Sequence, residues 1–328
     1  MRKEIVKKIN SSITSIDCLF CGEKNASELI PYDRYGVNCS ISICTKCGLI
    51  YTKKNIANKY LSSFYANDYR YLYNDTPKLT DNFIKKSGDI GYAKHRFSCI
   101  SKFVGSQLNN VVEIGSGTGQ FLLKLAEANV SNYVGLEPGV AYSEYLIEKD
   151  ELRGHVIRKF WSEINDEIKF DSELIVLFHV FEHLDKPRDF LKWAHMMLSK
   201  REGLLIIEVP GFDTDLNPWR FGINEFHMAH RAYYSSKILV GMLNECGFSV
   251  EKIEKHEKEI CANNLRIYAR STITIKNSFD SKSLSDSGSE AEARSKLLKY
   301  FFRYGSTAKI INFIKNGFDL PTVGRKSD

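Results

Sequence analysis

No apolar run in this chain approaches the ~18–20 residues that a membrane span requires, so a spanning helix is not expected. The basic start, Met1 to Asn10, is followed by neither an apolar stretch nor a small-residue cleavage site, and it reads as a cytoplasmic N-terminus rather than a secretory leader. A large excess of one sign of charge is lacking as well. A net charge of +6 over 328 residues admits an anionic small molecule such as a nucleotide-linked sugar, but it is far from the concentrated basic face of a duplex-binding protein. Internal repeats are missing, which excludes a solenoid. The eight cysteines lack the short, secreted setting of a disulfide scaffold: Cys18, Cys21, Cys39, Cys44 and Cys47 crowd the first fifty residues, while Cys99, Cys246 and Cys261 are scattered. What remains is ordinary globular composition, 43% hydrophobic and 26% charged, in a chain long enough for two units.

Four sections are expected. Residues 1–55 hold the cysteine pairs. Residues 56–107 are tyrosine-rich and then helical, with Phe83, Ile84, Tyr92, Phe97, Ile100 and Phe103 at roughly helical spacing, and read as a connector. Residues 108–276 alternate strands (Val111–Ile114, Tyr133–Leu136, His155–Arg158, Leu174–Phe178, Leu204–Val209) with helices such as Gln120–Ala128. That alternation predicts an α/β fold whose parallel sheet is covered on both faces. Two more strands, Phe248–Ile253 and Leu265–Ile273, have no helical pattern between them and read as an antiparallel hairpin closing the sheet. Residues 277–328 hold a polar linker (277–289), a helical segment (291–304) and an irregular tail.

The most informative stretch runs Val111-Val112-Glu113-Ile114-Gly115-Ser116-Gly117-Thr118-Gly119, a strand entering glycines and then a helix. Glycines suit a sharp turn that a ligand approaches closely. The spacing is G-x-G-x-G, and Gln120 stands where a dinucleotide fingerprint has its third glycine. Glu113 at the strand end would repel a pyrophosphate at the helix N-terminus but attract an ammonium. A cationic, phosphate-free ligand resolves the conflict. Glu137, after the second strand, is placed to accept hydrogen bonds from two ribose hydroxyls.

Cys18-x-x-Cys21 and Cys44-x-x-Cys47 allow four thiolates to converge on one structural Zn²⁺, and Gly22 and Gly48 suit the tight turns behind each pair. Cys39 is a bystander in this reading. An RNA-binding ribbon is disfavoured, because no alternating basic and aromatic run accompanies the cysteines.

VVEIGSGTGQFL, YVGLEP, FDSELIVLFHVFEHLDKPRDFL and GLLIIEVP, in that order, resemble the core of class I S-adenosylmethionine-dependent methyltransferases, and more narrowly the branch that includes sugar methyltransferases. The resemblance, over about residues 109–273, implies a Rossmann-like sheet of seven mostly parallel strands with the last one antiparallel. It implies that Glu113, Gly115, Gly117 and Gly119 line the methionine end of S-adenosyl-L-methionine, that Glu137 holds its ribose, and that Phe160 or Trp161 packs on the adenine; a core aromatic is the alternative for that pair. The similar sugar enzymes also begin with a four-cysteine unit followed by a tyrosine-rich segment, here Phe64 to Arg70. By that likeness the unit is a lid on the substrate pocket.

An alcohol acceptor must lose a proton during in-line methyl transfer, and histidine is the natural base. His179 and His183 bracket the end of the fourth strand, where the crevice opens, so His179 is a candidate both for catalysis and for lining the cofactor. The resemblance places a base among Glu225, His227 and His230. A nucleic-base amine acceptor is disfavoured by the lack of an Asn/Asp-Pro-Pro-aromatic turn, and pyrimidine C5 methylation by the lack of a strand-end cysteine. The expected reaction is O-methylation of a sugar or of a sugar-nucleotide or polysaccharide precursor. Similar C-methylating enzymes continue into a further α/β domain, for which about fifty-five residues after the last strand leave no room. Sugar C-methylation, a zinc-ribbon RNA methyltransferase and a non-enzymatic cofactor-binding module are the alternatives.

Overall fold

In the computed structural model, which describes residues 2–73, 79–105, 108–164, 172–212, 226–256 and 264–272, the alternation of apolar runs and helical patterns becomes a seven-stranded sheet. In chain order the elements are α1 (Arg2–Asn10), β1 (Ile13–Ser15), β2 (Ala26–Ile30), β3 (Ile41–Cys44), β4 (Ile50–Thr52), β5 (Lys54–Ile56), α2 (Asn58–Ser63), α3 (Tyr69–Tyr73), α4 (Asp81–Ser87), α5 (Asp89–Val104), β6 (Val111–Ile114), α6 (Gln120–Glu127), β7 (Tyr133–Leu136), α7 (Val140–Ile147), β8 (Val156–Ile157), β9 (Leu174–Phe178), α8 (Pro187–Leu198), β10 (Leu204–Pro210), β11 (Ala232–Tyr233), α9 (Ser236–Glu245), β12 (Phe248–His256) and β13 (Asn264–Ser271). A single π-helical turn, Phe64–Asp68, lies between α2 and α3. Among the described residues no helix is long and apolar enough to cross a membrane.

The described residues divide into two compact units. The larger draws on residues 2–5, 58–211 and 236–272. Its strand order is β12-β13-β10-β9-β6-β7-β8, parallel from β10 to β8, with β13 antiparallel to both β10 and β12. Every residue of β6 and β9 is buried, as continuous apolar runs in a sheet covered on both faces should be. α6 buries Phe121, Leu122 and Leu125. α8 begins on Pro187, whose fixed φ suits a first helical turn, and buries Phe190, Leu191, Ala194 and Leu198 along one stripe. Each of the phenylalanine and leucine side chains contributes about 1.5–3 kcal/mol through burial. The expected hairpin is present, longer than the sequence suggests: β12 runs on to His256 through a bulge between Val250 and Lys252.

The smaller unit holds residues 6–57 and, from far along the chain, 226–235. β2, β3 and β4 form an antiparallel sheet whose edge strand is β11, and β1 pairs with β5. The 226–235 segment therefore folds with the cysteine-bearing residues, although its sequence sits inside the expected α/β section. The linker (277–289), the helical segment (291–304) and Glu225 lie outside the described residues.

Candidate functional site

β6 ends at Ile114, and the chain turns through Gly115, Gly117 and Gly119 with φ of +71°, +53° and +70°. These glycines differ in purpose. A Cβ on Gly115 would stand 2.5 Å from Val180 Cγ2, and one on Gly119 2.3 Å from Leu146 Cδ2, so both permit close packing. A Cβ on Gly117 would meet nothing within 4 Å. The backbone there borders open space, as it must where a ligand is to approach.

Glu113 and Glu137 flank this turn, and both are buried. Glu137 Oε2 accepts the Gly117 N–H and Oε1 the Gly139 N–H, each at 2.8 Å, which fixes the carboxylate beside the turn. Glu113 Oε2, by contrast, is buried with no hydrogen-bond partner. Burial pushes the Glu113 carboxyl well above the usual carboxylate range, Arg96 pulling it down and Glu137 adding to the rise. A buried carboxyl with an orphaned oxygen is costly alone and favourable beside a cation, so this corner fits an ammonium-bearing ligand.

His179 follows β9 and adopts a left-handed backbone, φ +56°, a strained state for a non-glycine residue. Its ring lies between two buried carboxylates, with Nδ1 3.4 Å from Glu182 Oε1 and Nε2 3.6 Å from Glu208 Oε1, while 37% of the side chain stays exposed. Desolvation opposes a charge on the ring, but Glu182 and Glu208 outweigh it and push the imidazole up to about 9. The two carboxylates thus favour the protonated ring. Behind it, Glu208 Oε1 accepts Arg96 Nε at 2.9 Å, Arg96 Nη2 at 2.6 Å and Asn264 Nδ2 at 3.0 Å, while Oε2 accepts Arg266 Nε at 2.7 Å. Burial works against ionisation of Glu208, yet His179, Arg96 and Arg266 hold it well below the usual range. Arg266 is fully buried and reaches Glu254 Oε2 at 3.1 Å.

Of the expected adenine partners, Trp161 packs edge-on against Phe190 (5.4 Å between centroids) and tilted against Trp193 (5.8 Å), and both Trp161 and Phe160 are half-buried. His183 meets the π-helical turn. The Tyr65 hydroxyl lies 3.4 Å from its Nδ1, and the Tyr65 and Tyr69 rings approach it edge-on. Single π turns recur at functional sites.

In the smaller unit, Cys18, Cys21, Cys44 and Cys47 bring their sulfurs within 4.8 Å of one another, with Cys18–Cys47 and Cys21–Cys44 at 3.5 Å. A tetrahedral site with Zn–S near ~2.3 Å needs sulfurs about 3.8 Å apart, so the cluster fits one Zn²⁺. The two knuckles repeat one backbone pattern. Gly22 N–H bonds Cys18 O and Cys18 N–H bonds Glu23 O, just as Gly48 N–H bonds Cys44 O and Cys44 N–H bonds Leu49 O. Gly22 and Gly48 take φ of +70° and +76°. Hydrogen bonds among the thiols draw Cys21 down to about 7 and Cys44 lower still, and raise Cys18 and Cys47. Cys39 is buried outside the cluster. The same unit carries His227 and His230, whose rings lie 3.7 Å apart, with His227 buried and His230 half-buried.

Sequence reasoning did not single out Glu182, Glu208, Arg96 or Arg266. Glu208 and Arg266 are cross-strand partners in the β10–β13 register, and a lone acid in LLIIEVP opposite a lone base in NLRIYA was the available signal.

A family model of a methyltransferase domain matches residues 77–253, more than half of the chain. No curated protein matches. Among solved structures, the 1,6-didemethyltoxoflavin-N1-methyltransferase of Burkholderia thailandensis with bound S-adenosylhomocysteine is similar over 68% of this chain and 95% of its own, at 15% identity and TM-score 0.48. The magnesium protoporphyrin IX methyltransferase of Synechocystis PCC 6803 with bound S-adenosylhomocysteine is similar over 66% of this chain and 100% of its own, at 15% identity and TM-score 0.47.

Proposed function

The chain belongs to this methyltransferase domain family and is an S-adenosylmethionine-dependent enzyme, and from that premise we propose that it methylates a hydroxyl of a sugar or of a sugar-linked precursor. The observation that carries the cofactor side is the orphaned oxygen of buried Glu113 beside the open backbone at Gly117. In this reading Glu113 and the glycine turn hold the methionine end, Glu137 accepts the ribose hydroxyls, and Phe160 borders the adenine. The cofactor supplies an already activated methyl group, so the protein orients the acceptor, excludes water and removes one proton.

His179 does not suit proton removal, because its flanking carboxylates keep it protonated. It acts as a fixed donor at the crevice. The proton-accepting role falls to His230, the half-buried member of the His227–His230 pair, with Glu225 as the acidic neighbour in sequence. The four cysteines hold one structural Zn²⁺. Metal analysis should find one zinc per chain, retained in Cys39→Ser and lost in Cys21→Ser; zinc retained by Cys21→Ser would contradict the ligand set.

The acceptor is tested by incubating the full chain with methyl-labelled S-adenosylmethionine and a panel of nucleotide sugars, polysaccharide precursors and RNA transcripts. Label recovered as a sugar methyl ether is expected. Label found in RNA alone, or on a sugar carbon, would overturn the reading.

A further inference from the structure

β4 links two parts of the smaller unit that lie about 180 residues apart in sequence. On one side it emerges from the second knuckle: Cys44 ends β3, Cys47 and Gly48 follow, and β4 begins at Ile50. On the other it pairs with β11, Ala232 opposite Tyr51 and Tyr233 opposite Ile50. The residues just before β11, 226–231, form an irregular turn with no ladder of their own; beyond the His230 N–H to His227 O bond and the Tyr233 hydroxyl at His227, their backbone groups need partners from elsewhere in the unit.

Several of those partners come from the cysteine-bearing residues of the same unit, at positions five, eight and eleven in sequence from the nearest of the four cysteines. Thr52 donates its N–H to Arg231 O at 3.0 Å and its hydroxyl to His230 O at 2.5 Å. Asn55 Nδ2 donates to Met228 O at 3.1 Å. Asp33 Oδ2 accepts Met228 N–H at 2.9 Å, while its Oδ1 accepts Tyr35 and Val37 N–H at 2.8 and 2.9 Å. Thr52, Asn55 and Asp33 are all buried, so these bonds are shielded from water. Sheets of such short strands are marginal alone, and in small metal domains the binding of the ion supplies folding free energy.

We infer that Thr52, Asn55 and Asp33 are positioning residues that couple the four-cysteine site to the backbone carrying His227 and His230, so that metal occupancy and order of the histidine segment form one equilibrium. The inference rests on the reading that the four thiols hold zinc. By linkage it runs both ways: losing the metal loosens residues 226–235, and loosening those residues weakens the metal.

Hydrogen exchange of the full chain, read by peptide mass spectrometry before and after zinc removal with a chelator, tests the first direction. Exchange over 226–235 should accelerate by about tenfold or more, while the β13 strand, 264–271, serves as the internal reference and stays protected. The second direction uses the variant Thr52→Val/Asn55→Ala with zinc bound. It should exchange faster over 226–235 and should lose zinc to a chromophoric chelator about tenfold more readily than the parent. If chelation unfolds the whole chain, the variant decides alone. Unchanged protection of 226–235 after zinc loss, or a loosened segment in the variant with unchanged zinc affinity, would overturn the coupling. A purified chain containing no zinc would instead remove the metal reading on which it stands.

Discussion

Replacing Glu113 by glutamine should weaken binding of S-adenosylhomocysteine by between about tenfold and about a hundredfold, the range set by the about 1.5–3 kcal/mol of a hydrogen bond to a charged group. The free protein should be no less stable. Glutamine keeps the shape of the side chain and cannot ionise, and Glu113 Oε2 has no hydrogen bond to lose. The sign of the pH dependence follows from burial, which raises this carboxyl well above the ordinary range. Below that raised value the free protein carries the proton. The ligand's ammonium favours the carboxylate, so binding expels the proton and affinity climbs with pH until the raised value is passed. Calorimetry in two buffers of different ionisation enthalpy should count up to one proton released by the parent and none by Glu113→Gln. For stability, the protonated form contributes fully below the unfolded-state range, and that contribution is lost as pH rises through the folded value. The glutamine variant escapes this loss. Equal affinity of parent and variant at neutral pH would contradict the role given to Glu113.

Glu208→Ala should destabilise the larger unit by about 3–5 kcal/mol, because it leaves the fully buried Arg266 guanidinium with only Glu254 and frees Arg96 and Asn264 together. At the about 2–4 °C per kcal/mol typical of domains this size, Tm should fall by on the order of 10 °C. The double variant Glu208→Leu/Arg266→Met should recover much of the loss, since apolar groups can replace a buried ion pair. The network also sets a titration. His179, raised to about 9 by Glu182 and Glu208, contributes stability that is fully present below its unfolded value and is lost as pH rises through about 9. Removing Glu208 should shift that alkaline loss to lower pH, readable from His179 imidazole resonances. An unaltered Tm in Glu208→Ala would sink this assignment.

The sheet was legible wherever burial on both faces demands an unbroken apolar run. Val111–Ile114, Tyr133–Leu136 and Leu174–Phe178 match β6, β7 and β9 residue for residue. The edge strand β8 spans only Val156–Ile157 where His155–Arg158 was expected, because an edge needs fewer paired groups and its neighbours leave the ladder early. The glycine turn was legible because positive φ restricts residue choice. What escaped was long-range. Residues 232–233 become an edge of the cysteine-bearing sheet through pairing with residues about 180 positions earlier, and no local periodicity records such a partner. The Glu208 half of the Glu182–His179–Glu208 clamp escaped for the same reason, since it depends on register between strands, while Glu182 is brought to the ring by the short turn after β9. A histidine in sequence reads as a base; two buried carboxylates beside it favour its protonated form.

The most direct measurement is calorimetric titration of the purified full chain with S-adenosylhomocysteine and, separately, with NAD. One-to-one binding of S-adenosylhomocysteine with proton release, and no heat from NAD, is the predicted result. Tight uptake of NAD with indifference to S-adenosylhomocysteine would contradict it.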